Sequence, residues 1–274
     1  MIGIFDSGIG GLSVLREIRK LLPEESYIYF SDNAHCPYGE KSRAYIIERA
    51  RIISETLIGK GADIIVVACN TATAAAISTL RSLYSAPEDP GTRNRVSILS
   101  GGRRDHVKFI GTEPAVKPAI CLTRSGVVGV LATAGTLKAE KYRHTRELAD
   151  GKVKIVEHVG QGFVELVENG ELSGPHAEEV VRSSLMPLLE AGADTIVLGC
   201  THYPFLSGVI RKIAGPDVTV IDPAPAIARH LLEVMEEDGV ISGEDTVKAS
   251  ARKGQTLFMS SGPDTVLRRM AEKI

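Results

Sequence analysis

The chain reads as an α/β protein of two pseudo-symmetric, doubly wound domains whose mostly parallel sheets face each other across a cleft. Three observations predict this. Short apolar runs alternate with longer amphipathic stretches almost from end to end, the pattern of parallel strands covered by helices. One stretch is written twice, as Gly61-Ala62-Asp63-Ile64-Ile65-Val66-Val67-Ala68-Cys69-Asn70-Thr71 and as Gly192-Ala193-Asp194-Thr195-Ile196-Val197-Leu198-Gly199-Cys200-Thr201-His202. A second echo, Gly3-Ile4-Phe5-Asp6-Ser7-Gly8-Ile9-Gly10-Gly11 against Gly129-Val130-Leu131-Ala132-Thr133-Ala134-Gly135-Thr136-Leu137, keeps the same order and nearly the same spacing. A duplicated domain is the economical explanation.

Taken in order, the runs 2–5, 27–31, 63–68, 107–111, 127–132, 153–158, 194–198 and 218–221 are predicted strands. The segments 10–21, 41–60, 71–84, 114–122, 136–150, 161–169, 176–191, 205–214, 224–238 and 263–273 are predicted helices. Residues 86–106 break the rhythm, because Pro87, Pro90, Gly91, Gly101 and Gly102 are expected to interrupt any helix. With Arg93, Arg95, Arg103 and Arg104 this segment reads as a disordered, solvated insertion rather than a nucleic-acid patch. The strand at 218–221 and the helix from Ala224 are expected to return to the first domain, 239–254 reads as a polar loop, and Leu257-Phe258-Met259 with the last helix closes the chain. The expected division is a first domain of 1–107 plus 209–274 and a second of 108–208.

At 274 residues, 43% hydrophobic and 24% charged, the chain is long enough for two small cores. Its 32 basic and 34 acidic residues create no net field, so neither nucleic acid nor a membrane surface is an implied partner. Ile2 enters a strand at once without a signal-type segment, and the apolar run before Cys69 is too short to span a bilayer, so a cytoplasmic protein is expected. Cys36, Cys69, Cys121 and Cys200 are far apart with no C-x-x-C, which signals free thiols and neither a zinc site nor a disulfide scaffold.

In doubly wound sheets, ligands collect beyond the carboxyl ends of the strands, where helix N-termini point partial positive charge outward. Asp6-Ser7, Cys69-Asn70-Thr71, Thr133 to Thr136 and Cys200-Thr201-His202 all fall at such ends. One crevice between the domains would gather them. A lone cysteine at a strand end is commonly a small core residue, but a duplicated strand delivering one thiol each time suggests two sulfurs facing each other. Such a pair suits proton transfer on both faces of one carbon, and a nearby helix N-terminus is expected to bring each thiol pKa toward neutrality. Asp6 and His202 also have quieter explanations, as a helix cap and as a turn residue before Pro204. Gly8-Ile9-Gly10-Gly11 has Ser13 where a dinucleotide fingerprint needs glycine, and residues two apart in a turn, such as Cys200 and His202, seldom hold the nucleophile–base hydrogen bond of a cysteine hydrolase.

The motifs Phe5-Asp6-Ser7-Gly8-Ile9-Gly10-Gly11, Pro37-Tyr38-Gly39, Ala68-Cys69-Asn70-Thr71-Ala72, Glu113-Pro114-Ala115-Val116-Lys117-Pro118-Ala119, Thr133-Ala134-Gly135-Thr136 and Gly199-Cys200-Thr201-His202-Tyr203-Pro204 run through nearly the whole chain. In these the chain resembles the glutamate racemases of the cofactor-independent aspartate/glutamate racemase superfamily. The resemblance implies a cofactor-free, metal-free isomerase, usually a homodimer, that interconverts L- and D-glutamate and supplies D-glutamate for peptidoglycan. It implies Cys69 and Cys200 as the two acid/base residues, with Asp6 assisting Cys69 and with His202 and Glu168 assisting Cys200. It further implies that Asp6, Ser7, Asn70, Thr71, Thr133, Thr136, Thr201 and His202, with the Pro37-Tyr38-Gly39 loop, hold the amino acid. An aspartate or hydantoin racemase and a non-catalytic amino-acid-binding protein are the alternatives. Two departures stand out: Gly160-Gln161-Gly162 precedes Phe163-Val164 where the family commonly has Cys-Pro, and the connection at 86–106 is long.

Overall fold

Ile2–Asp6 (β1) is buried from end to end, as is Ile64–Val67 (β3), because helices cover both faces of the sheet in which they pair. The computed structural model describes residues 1–147, 149, 151, 153–237 and 254–274. Among these, β1, Tyr27–Ser31 (β2), β3, Lys108–Gly111 (β4), Val127–Ala132 (β5), Lys154–Val159 (β6), Thr195–Gly199 (β7), Thr219–Ile221 (β8) and Thr256–Ser260 (β9) form two all-parallel sheets. Their orders are β4-β3-β1-β2-β9 and β6-β5-β7-β8. Read as β8-β7-β5-β6, the second sheet repeats the first four strands of the first. The strand before Cys69 therefore corresponds to the strand before Cys200, and the strand before Ser7 to the strand before Thr133.

The helices are Leu12–Leu21 (α1), Arg43–Gly59 (α2), Asn70–Tyr84 (α3), Pro90–Ser100 (α4), Val116–Leu122 (α5), Ala134–Lys138 (α6), Glu140–Glu147 (α7), Phe163–Glu168 (α8), Pro175–Glu190 (α9), Ser207–Ala214 (α10), Ala224–Glu237 (α11) and Thr265–Ala271 (α12). Several begin at side chains that satisfy an orphan amide: Ser42 caps α2, Cys69 caps α3 and Thr133 caps α6. α11 packs along α1, and one buried core runs from Ile4, Leu12 and Leu15 through Leu231 to Phe163, Leu198 and Tyr203. That shared core fixes the two sheets so that their strand ends converge.

Four expectations are corrected. Residues 108–111, expected in the second domain, pair with β3 as Ile64↔Lys108 through Val67↔Gly111. Residues 219–221, expected to return to the first domain, pair with β7 as Thr195↔Thr219, because the short α10 brings the chain back beside the strand it has just left. The segment at 86–106 is not a break but contains α4. Asp89 Oδ2 accepts from Thr92 N at 2.7 Å, Pro90 occupies the first turn, and Gly101 ends the helix with φ 65°. The residues read as interruptions thus stand at its two ends, and Val96 is buried against the first domain's core. Finally, the helix expected at 136–150 divides at Ala139, whose extended backbone separates α6 from α7. The bend lets Thr136 face the cleft while Tyr142 is buried, its hydroxyl donating to Glu157 Oε1 at 3.0 Å. Of the loop expected at 239–254, all but Gly254 lies outside the described residues.

Candidate active site

Both duplicated cysteines line one cavity. Its walls also include Ser7, Asn70, Thr71, Thr133, Thr136, Thr201, His202 and the Pro37-Tyr38-Gly39 loop. They arrive from the carboxyl ends of the central strands of both sheets, where parallel-sheet proteins gather ligands. In this closed arrangement the cavity is about 10 Å³, on the scale of a single water position. An open cleft of about 840 Å³, lined in part by Lys41, Arg43, Gly135, Lys138 and Arg143, meets it at Thr71. Gly135 closes the seam: a Cβ there would lie 3.2 Å from the carbonyl oxygen of Gly39 and 3.0 Å from Thr71 Cγ2.

On the first-domain side, Cys69 Sγ accepts from the amide of Ala72 at 3.4 Å and donates to Ser7 Oγ at 3.7 Å. The expectation that its helix N-terminus draws the thiol toward neutrality is corrected. Burial pushes the Cys69 pKa up to about 12, with the neighbouring Asp6 and Cys200 charges adding to the rise, and this outweighs the Ala72 amide. Asp6 is itself fully buried and its pKa is raised, chiefly by burial, while its oxygens accept from Gly8 N and Thr201 Oγ1, each at 3.1 Å. Its link to Cys69 is through its field, its link to Thr201 through a hydrogen bond across the domains.

On the second-domain side, His202 Nδ1 lies 3.7 Å from Cys200 Sγ, and its Nε2 lies 2.7 Å from Glu168 Oε1. Glu168 also accepts from the amide of Ile9 at 2.7 Å. Burial pushes the Glu168 pKa up, but the His202 ring and the Ile9 amide bring it below its ordinary value. Burial disfavours the charged His202 ring, but its bonds to Cys200, Cys36 and Glu168 hold its pKa well above the ordinary value. The Gly160-Gln161-Gly162 turn brings Glu168 to this position. Gly162 starts α8 with φ 77°, and Gly160 lets Tyr203 approach so closely that a Cβ would stand 2.5 Å from the Tyr203 oxygen.

The polar lining is rich in unspent hydrogen-bonding capacity. Thr71 Oγ1 meets Thr133 Oγ1 at 2.9 Å and Thr136 Oγ1 at 3.4 Å, and Thr133 meets Thr136 at 3.0 Å. The Asn70 amide is buried with neither its oxygen nor its nitrogen bonded to protein. Leaving such atoms unpaired costs about 1–3 kcal/mol, so a polar ligand is the natural partner.

Sequence reasoning missed several contributors. Val164 and Gly199 line the cavity as ordinary core and strand residues with no chemical signal. Cys36 sits against His202. Tyr38 donates to Asp32, which is held from the other side by Arg49 Nη2 at 2.7 Å and Nε at 3.0 Å. This ion pair, buried at Asp32 and half-buried at Arg49, holds the Tyr38 hydroxyl, and no local sequence pattern marks it.

Residues 109–231 match the model of the Asp/Glu/Hydantoin racemase family. The chain is 46% identical over 268 residues to a glutamate racemase from Methylococcus capsulatus, covering 98% of this chain and 89% of the relative. Its fold matches a crystal structure of glutamate racemase isoform RacE1 from Bacillus anthracis with TM-score 0.79 and 31% identity, over 100% of this chain and 92% of that one. It also matches Escherichia coli glutamate racemase, crystallised with L-glutamate and the activator UDP-MurNAc-Ala, with TM-score 0.76 and 32% identity over 98% and 94% of the two chains.

Proposed function

The chain belongs to the glutamate racemases of the Asp/Glu/hydantoin racemase family, and from that premise we propose that it inverts glutamate by proton transfer between Cys69 and Cys200. As an isomerase of this family it needs one group on each face of Cα: a planar carbanion reprotonated by the base that made it would return its proton to the side it left. The observation that carries the reading is that both sulfurs line one cavity together with the unpartnered amide of Asn70.

One thiolate removes the Cα proton and the opposite thiol delivers its own, so the enzyme ends each turnover with the two protonation states exchanged. The mutual field of the sulfurs favours this one-and-one state, since each charge on Cys200 raises the pKa of Cys69. Burial and the Asp6 field favour the protonated form of Cys69. Arrival of the substrate ammonium group brings the positive charge that offsets burial and the Asp6 field. Asp6 assists on the Cys69 side. His202, held protonated against Glu168, is a proton store facing Cys200. Ser7, Asn70, the three threonines of the cluster, Thr201 and the Tyr38 loop hold the ammonium and carboxylate groups. Since the closed cavity admits no diacid, the Gly39–Gly135 seam must part for glutamate to enter and close again for a dry, preorganised reaction.

For the wider setting we propose a cytoplasmic homodimer that supplies D-glutamate for peptidoglycan, a reading the family membership supports. Among the described residues no helix is long and apolar enough to cross a membrane. The decisive experiment follows optical rotation of L-glutamate and deuterium entry at Cα in heavy water, without added cofactor. The parent chain is expected to do both, and Cys69→Ala and Cys200→Ala each to lose racemisation by about 10³-fold or more, within the range of positioned acid–base catalysis. Near-normal turnover by either variant rejects the two-thiol scheme.

A further inference from the structure

Cys36 has no part in the reading above, yet its thiol is one of three ligand-type groups that meet behind Cys200. Cys36 Sγ, a carboxylate oxygen of Glu168 and a ring nitrogen of His202 all lie within 4.8 Å of one another. They come from three separate segments: the loop before Pro37, the end of α8 and the turn after β7. A zinc ion bound by thiolate, imidazole and carboxylate at about 2.0–2.3 Å keeps tetrahedral ligand atoms roughly 3.3–3.8 Å apart. The His202 Nε2–Glu168 Oε1 pair, 2.7 Å apart, must open by roughly 0.6 Å to admit the ion between them.

Two further observations favour a ligand site over a chance contact. Position 8 carries no side chain where these groups meet: a Cβ there would stand 1.9 Å from Glu168 Oε1 and 3.1 Å from Cys36 Sγ. Cys36 and Glu168 are only half-buried while His202 is fully buried, so the group is anchored on one side and open on the other. That leaves an approach path and a fourth position for water or a carboxylate, as in zinc sites with three protein ligands.

We propose that Cys36, Glu168 and His202 form a binding site for a thiophilic divalent cation of the Zn2+ class, and that its occupancy inhibits the enzyme by withdrawing the Glu168–His202 pair from Cys200. On binding, the Cys36 thiol releases its proton and the proton shared by His202 Nε2 and Glu168 Oε1 is released as well. The cation takes their place with no change of oxidation state. Affinity therefore rises with pH, because protons and metal compete for the same atoms.

The test titrates the full chain with Zn2+ in competition with a chromophoric chelator, and with Co2+ as a spectroscopic probe, for the parent, Cys36→Ala and Cys69→Ala. This binding readout is independent of whether the racemase reading holds. The parent and C69A are expected to bind one equivalent and to give a thiolate-to-cobalt charge-transfer band. C36A is expected to lose the band and to bind about tenfold more weakly or worse. Zn2+ should inhibit parent turnover reversibly by chelator, with the same shift in C36A. Equal affinity in C36A, loss of the band in C69A instead, or no binding at millimolar Zn2+ overturns the proposal. Loss in C69A would assign the cation to the opposed catalytic sulfurs.

Discussion

Cys69 and Cys200 end equivalent strands of equivalent sheets, yet almost nothing around them is equivalent. Cys69 caps a helix of 15 residues and is surrounded by a serine hydroxyl, a backbone amide and the field of Asp6. Cys200 leads into the short turn Tyr203–Leu206 and faces an imidazole backed by a carboxylate. The difference resides in the two residues after each sulfur, Asn70-Thr71 in one copy and Thr201-His202 in the other. Duplication of the backbone supplies position, and local side chains supply each thiol's chemistry. The two copies also depend on each other, since Asp6 of the first half accepts from Thr201 of the second and Glu168 of the second accepts from Ile9 of the first.

The sharpest way to break this comparison is to weaken one half at a time. Asp6→Asn and His202→Asn are each expected to lower kcat by about 10²-fold, but in chemically opposite ways. The enantiomers have equal free energy, so kcat/KM must fall equally in both directions and cannot report the asymmetry. Primary isotope effects with Cα-deuterated substrate can. The variant that slows the Cys69 step should enlarge the effect for the enantiomer deprotonated by Cys69 and shrink it for the other. His202→Asn should do the reverse. The same pattern in both variants would mean that the halves do not act as separate acid/base sets.

A smaller effect, in stability, should carry opposite signs in the two halves. Burial raises the Asp6 pKa, so this group favours the fold below its ordinary value near 3.8, and that contribution is lost as pH rises through the raised folded value. The Glu168 pKa is lowered despite burial by the His202 ring, so its contribution is present above about 4.5 and is lost as pH falls through the folded value. His202, raised by Cys200, Cys36 and Glu168 against burial, favours the fold below 6.5 and loses that as pH climbs through its folded value. At pH 7, Asp6→Asn should therefore raise Tm and Glu168→Gln lower it, each by a few degrees. Both shifts should shrink toward acid pH, where the native carboxyls are protonated. Calorimetry from pH 4 to 8 checks the signs, and a fall in Tm for both variants at neutral pH would remove the contrast.

The parts of this site that were readable beforehand share one property: they punctuate strand ends. Cys69, Cys200, Asp6, Thr133 and Thr201 interrupt apolar runs, so a one-dimensional pattern exposes them. Glu168 was reachable through the family motif despite its altered approach, because Gly160 and Gly162 still build the turn that aims α8 at His202. What escaped depends on contacts between distant segments. Cys36 reaches His202 only after folding, the Asp32–Arg49 pair behind Tyr38 is invisible until β2 and α2 are packed, and pairing of β4 and β8 is decided by which neighbour a short connection can reach. The thiol pKa escaped for the same reason, since burial is a property of the assembled cleft and here it overrides the helix N-terminus.

The smallest expected effect concerns the feature that most separates the two halves. Helix α4 follows α3 between β3 and β4 and, among the described residues, has no counterpart after α10, which with the turn Tyr203–Leu206 joins β7 to β8. The two arginines just past the C-terminus of α4 serve the first domain: Arg103 Nε donates to the Ser100 carbonyl at 2.6 Å and Arg104 Nε to Asp63 Oδ1 at 2.7 Å. Because α4 packs on α2 and α3 away from the cavity, it should matter to stability and not to turnover. Asp89→Ala removes the carboxylate that accepts from Thr92 and should cost about 1 kcal/mol of stability, with kcat and KM unchanged. Asp89→Ser, which restores an amide acceptor, should recover most of the loss. A drop in turnover at temperatures where the variant is fully folded would show that this insertion communicates with Cys69 through α3, and the division of labour drawn between the halves would then have to include it.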